Sequence, residues 1–144
     1  MNYTSVEQSK KLVELGLDKD SADMIYIWHC SSDNPEWRFD DDMAPMNLAK
    51  KKISELDHAP EHTLPAWSVG QLISMLPDNF TENGVNLRMV YDLNIYKDQI
   101  AYNGYDFIHD TNECIFHTKP GKLIDVLVET VCWLIESKHF NEKN

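Results

Sequence analysis

From Leu87 the apolar residues fall at every second position, and the run is long enough to leave few folds open. Leu87, Met89, Tyr91, Leu93 and Ile95 alternate with Arg88, Val90, Asp92, Asn94 and Tyr96. Successive side chains of an extended chain point to opposite faces, so this segment reads as a strand with one apolar face. Lys97-Asp98 supplies a tight turn, and Ile100 and Tyr102 continue the apolar face on a second strand. A turn at Asp110-Thr111-Asn112-Glu113 leads to a third strand, Glu113 to Thr118. That turn sets Ile108 against Ile115 and Phe107 against Phe116, like facing like. Links this short make neighbouring strands antiparallel.

Gly104 decides the register. With unbroken alternation Asp106 enters the core and Phe107 leaves it. One extra residue at Asn103-Gly104, a glycine bulge, would reverse this and bury Tyr105 and Phe107. The rival is that Asn103-Gly104 is itself the hairpin turn. The bulge is favoured, because the Leu87 strand otherwise lacks a partner of matching length.

Helices flank this hairpin. The last is expected from about Pro120 to Ser137, with an apolar face from Leu123 to Ile135 wide enough to cover a sheet and a wet side of Asp125, Glu129 and Glu136. The first follows Thr4 and Ser5, each with Glu or Gln three residues on, and ends at Gly16 with Leu17 folding back onto Leu12. In the middle, Val69, Leu72, Ile73 and Leu76 share one helical face, Ser68 and Gln71 suit the start, and Pro77 ends it. Met24 to Trp28 reads as a buried strand, and a short helix is expected from Asn47 to about Leu56.

The class is therefore α+β: a mainly antiparallel sheet of three to four strands with two to three helices packed chiefly on one face. A chain of 144 residues without a repeat suits a single domain, 1–144. Within it 31–63, with Pro35, Pro45, Pro60 and the Asp40–Asp42 run, is expected to be a loop-rich, mobile insertion.

The net charge of −11 opposes direct binding to nucleic acid or to anionic membranes and favours a basic protein partner. The start, MNYTSVEQSKKLVELG, has no basic flank before a continuous apolar stretch, and the longest apolar run is too short to span a bilayer. Cys30, Cys114 and Cys132 are odd in number and widely spaced, which fits free thiols in a cytoplasmic protein.

No catalytic, cofactor-binding or metal-ligating motif is recognised, and no cofactor is expected. The richest polar cluster holds Asp106, His109, Asp110, Glu113, Cys114 and His117. If a small metal-dependent hydrolase or ligand-binding enzyme were built here, Asp106, His109 and His117 would be its ligands, since a metal needs three or four donors converging on one point. The expected register instead sets Asp106 opposite His117 on one face and His109 opposite Cys114 on the other. His58 and His62 have helical spacing but are interrupted by Pro60. Asp40-Asp41-Asp42 lacks the spacing and the glycine of a calcium loop. Trp67, Tyr91, Tyr102, Tyr105, Phe107 and Trp133 are read as core rather than as a flat-ligand pocket.

Three segments, TSVEQSKKLVELGLDKDSADM, LPAWSVGQLISMLP and DVLVETVCWLIES, together resemble a family of small uncharacterised bacterial proteins found in genomes and in phage-like or mobile regions. The resemblance carries no known activity and no catalytic residue. It implies a small cytosolic accessory protein of mobile-element origin. With the charge, it favours an acidic protein-interaction module, one form of which is a phage-type inhibitor of a nucleic-acid-binding protein.

Overall fold

A computed structural model of the chain describes residues 2–28, 43–56, 62–83 and 88–140. The fold is α+β, with three helices and two antiparallel sheets of three and four strands. The chain divides into two compact units, residues 1–71 and 72–144. The strands expected for one sheet are thus shared between two.

The first unit begins with α1 (Val6–Glu14). The Ser5 hydroxyl caps the Gln8 amide while the Gln8 side chain accepts from the Ser5 amide, a reciprocal capping box. The helix ends at Gly16, whose φ of +95° needs no Cβ. The Leu17 and Gly16 amides turn back to the Leu12 and Val13 carbonyls, as the Gly16-Leu17 ending requires. Strands β1 (Met24–Ile27), β2 (Met46–Asn47) and β3 (Thr63–Ala66) form a sheet in the order β2-β1-β3. Val6, Tyr26, Leu64 and Ala66 pack together beneath it.

The helix expected from Asn47 to Leu56 does not form. Met46–Asn47 pairs with β1, and the Asn47 side chain accepts from the Ala49 amide. Ala49 and Lys50 adopt positive φ, which no α-helix allows, and only a 3-10 turn follows at Ile53–Glu55. The rest of 31–63 is largely outside the described residues.

Helix α2 (Val69–Met75) leads from the first unit into the second. The Ser68 hydroxyl accepts from the Gln71 amide at its start. The second unit is a meander of β4 (Asn79–Asn83), β5 (Arg88–Ile95), β6 (Ile100–Asp106) and β7 (Thr111–His117), followed by α3 (Leu123–Glu136). Met89, Tyr91, Ile100 and Tyr102 are buried as the period of two required, whereas Leu93 is half-buried and Ile95, at the end of its strand, is exposed. The Lys97-Asp98 turn is closed by the Tyr96 amide on the Gln99 carbonyl. Phe80, Tyr91, Tyr102, Phe116 and Trp133 meet in one aromatic layer between the sheet and α3. Asp125, Glu129 and Glu136 form the wet side of α3.

Candidate interaction site at the hairpin tip

The polar cluster singled out in the sequence lies around the β6–β7 hairpin, in a different register from the one expected. Alternation runs unbroken through Gly104, and β6 pairs Gly104 with Glu113, Tyr105 with Asn112 and Asp106 with Thr111. The turn is therefore Phe107–Asp110. The Asn103-Gly104 turn does not occur, and the bulge sits on the partner strand, where Ile115 is the extra residue between Cys114 and Phe116. Gly104 answers a different need: a Cβ there would lie 2.9 Å from the Val90 carbonyl oxygen and 3.0 Å from the Tyr91 ring. The Tyr91 side chain lies across this gap, and its hydroxyl donates to Glu113 Oε2 at 3.0 Å. Burial, then the neighbouring Glu113 carboxylate, push the Tyr91 phenol above its ordinary range.

Asp106 accordingly points inward and is buried, against the expectation that a bulge would turn it out. The turn offers an inward carboxylate its own set of donors. Asp106 Oδ2 lies 2.6 Å from His109 Nδ1, and Oδ1 accepts from the Ile108 and His109 amides at 2.9 and 3.2 Å. Three donors replace the lost water, so inward placement costs little. The same contacts, the His109 ring first, hold the Asp106 carboxyl below its usual value.

Tyr105 and Phe107, expected in the core, are on the surface. Phe107 is 83% exposed, Ile108 68% and Tyr105 38%. Tyr105 and Phe107 meet edge to face with centroids 4.8 Å apart, and the Tyr105 hydroxyl donates to the Asp110 carboxylate. Asp110 itself holds a positive φ of 51°, a backbone state that aspartate tolerates better than most residues. The result is an apolar-tipped turn, hydrogen-bonded within itself and set among acidic side chains.

The candidate metal ligands do not converge. Asp106 and His109 touch, but His117 faces Ala101 at the other end of β7, with its ring beside the Thr118 carbonyl. Six residues of strand separate His117 from Thr111, which faces Asp106, a span of roughly 20 Å. Nor do His109 and Cys114 oppose each other, since Cys114 faces Asn103. Among the described residues no three His, Cys, Asp or Glu side chains could hold a metal together. His58, Cys30 and Asp40–Asp42 lie outside the described residues, while His62 stands beside Trp28 with ring centroids 6.1 Å apart.

Sequence reasoning missed one further pair. His139 stacks on Phe80 at 4.2 Å, and its Nε2 lies 2.8 Å from Glu82 Oε2. No local spacing announces this contact, because β4 and the end of α3 are joined only by the fold. In the first unit a cleft of about 440 Å³ is lined by Asp18, Asp20, Ser54 and Pro65, but the Asp20 carboxylate is already occupied by the Ser54 amide and hydroxyl.

No family model, curated protein or solved structure matches this chain. No helix among the described residues is long and apolar enough to cross a membrane. The candidate site accordingly rests on the geometry of this chain alone.

Proposed function

We infer that this protein is an acidic interaction module that docks on a basic protein through the tip of its β6–β7 hairpin. One observation carries the reading: Phe107 and Ile108 stand 83% and 68% exposed on a turn whose backbone is fixed by the Asp106 carboxylate. Large apolar side chains held rigidly in water gain free energy when a partner covers them. Little ordering entropy is lost on docking, because the turn is already held. The net charge of −11 adds long-range attraction to a basic surface. A phage-type inhibitor that occupies the basic surface of a nucleic-acid-binding protein is one form of such a module.

A photo-reactive residue placed at Phe107 tests the reading in cell lysate. The expected result is a discrete protein adduct formed at roughly 0.1 M salt and much reduced at roughly 0.5 M. Its partner should bear a basic surface. In the otherwise unlabelled protein, Phe107→Ala with Ile108→Ala should release that partner while leaving the fold intact. Retention of the partner by the double variant, or an adduct indifferent to salt, would sink the proposal.

A further inference from the structure

Of the four sheet edges in the described residues, two are blunted and two, those of β4 and β7, are not. Strand β2 is two residues long and β3 contains Pro65. These are recognised ways of keeping an edge from pairing with foreign chain. Strand β7 is seven residues, Thr111–His117, and contains neither proline nor lysine. It is the terminal strand of its sheet, and among the described residues nothing pairs with its outer edge. The bulge at Ile115 interrupts it, which leaves Thr111–Cys114 as a regular, exposed stretch beside the apolar tip.

We propose that the Thr111–Cys114 edge of β7 receives an extended, basic segment of a partner protein as an added antiparallel strand. The idea rests on the docking reading above and supplies its mode. Backbone amides and carbonyls of an unpaired edge give the affinity of strand addition, and side chains around it give the specificity. Here the exposed carboxylates beside the edge are those of Asp110 and Glu113. Lysine or arginine side chains on the incoming strand would find these carboxylates, while its apolar residues would reach Phe107 and Ile108. A second copy of this chain is the poorer occupant, because it would bring Asp110 and Glu113 against their own kind on a molecule of net charge −11.

Amide hydrogen exchange at Thr111–Cys114 of the full chain tests this directly. The probe is a peptide of about eight residues alternating lysine and threonine. It should slow exchange in this stretch by at least about tenfold. The same peptide with one central threonine replaced by proline, and one alternating glutamate and threonine, should not. Equal protection by the proline peptide would mean that charge alone acts, and equal protection by the acidic peptide would mean that charge is irrelevant; either overturns the proposal. So would absence of protection, or protection that rises with protein concentration without peptide, which identifies a second copy as the occupant. The two readings fail separately. A salt-sensitive adduct at the tip with an unprotected β7 removes strand addition alone; a protected β7 without any adduct removes the docking tip alone.

Discussion

The two units bury their interiors by different means. In the first, small polar groups knot the chain. Thr4 Oγ1 lies 2.7 Å from Ser9 Oγ and accepts from the Trp67 amide, its amide donates to the Trp67 carbonyl, and its carbonyl accepts from Tyr26 Oη. The Asp23 carboxylate takes both the amide and the hydroxyl of Ser68, and the Ser21 hydroxyl takes the Trp67 indole N–H. In the second unit, rings do the equivalent work: Phe80 has Tyr91, Tyr102, Trp133 and His139 within 6 Å, centroid to centroid. Directional bonds between distant segments fix one unit, and large apolar area fixes the other. The two should respond to different insults.

The largest effect is expected from Phe80→Ala. Phe80 is 2% exposed, and removing its ring opens a cavity in the aromatic layer. The loss should be about 3–5 kcal/mol in denaturant titration, with exchange accelerated first in β4, β5 and α3. In the first unit, Thr4→Val keeps the shape but removes the hydroxyl. It strands the buried Trp67 amide and the Ser9 hydroxyl and should cost about 2–3 kcal/mol. A cost for Thr4→Val above that of Phe80→Ala would break the contrast between the units; a cost below about 1 kcal/mol would show that the polar knot is ornamental.

The same contrast explains what the sequence made legible. In the second unit β5, β6 and α3 could be placed because burial there follows a period, two for the strands and a wide helical face for α3. The register of β7 could not. It depends on Asp106 finding three donors inside a turn, which reverses the usual assumption that a carboxylate shuns the core. Strand β4 was missed because Asn79–Asn83 alternates weakly, with Phe80 as its single large apolar residue. In the first unit α1 carried its own signals, a capping box and a glycine ending, and they held. Strands β2 and β3 did not announce themselves: one has two residues, and the other contains a proline that usually argues against a strand. Nothing local links Thr4 to Trp67 or Asp23 to Ser68. Of the candidate site, the residues around the turn were visible as a polar cluster. The exposed Phe107 and Ile108 were not, since apolar residues beside a strand read as core.

Alkaline pH should weaken both units in the same way. Burial, with Tyr3 nearby, pushes the Tyr26 phenol up to about 12. Burial, and then Asp78, push the Tyr102 phenol up as well. Each hydroxyl donates to a carbonyl, that of Thr4 for Tyr26 and that of Pro77 for Tyr102. The folded state thus holds both phenols neutral while the unfolded chain ionises them near 10. Their contribution is complete below pH 10 and is lost as pH rises through the folded values; for Tyr26 the window is 10 to about 12. Stability measured across that window should fall, and Tyr26→Phe should flatten part of the fall. An unchanged slope in the variant would show that Tyr26 ionises as freely in the folded protein as in the unfolded one.

The smallest effect compares two helix endings. Both α1 and α3 close with the same pair of amide contacts: Leu17 and Gly16 reach the Leu12 and Val13 carbonyls, and His139 and Lys138 reach those of Leu134 and Ile135. The left-handed position is Gly16 in one and Lys138, with φ of +64°, in the other. A side chain in that conformation costs about 1–2 kcal/mol, whereas glycine avoids the clash but enters folding with more freedom to lose, about 0.5–1 kcal/mol. Lys138→Gly should therefore gain about 0.5 kcal/mol. The substitution also removes a cation from the negative end of α3, which opposes the gain by a few tenths of a kcal/mol at low ionic strength. Salt screens that charge term and leaves the backbone term alone, so the gain should grow when the measurement is repeated at roughly 0.5 M salt. Gly16→Ala is the mirror experiment. Open space surrounds the position a Cβ would take there, so its cost is purely conformational and should be about 1 kcal/mol regardless of salt. If Lys138→Gly destabilises α3 at high salt, the left-handed ending does not govern that helix, and the stacking of His139 on Phe80 must hold it closed instead.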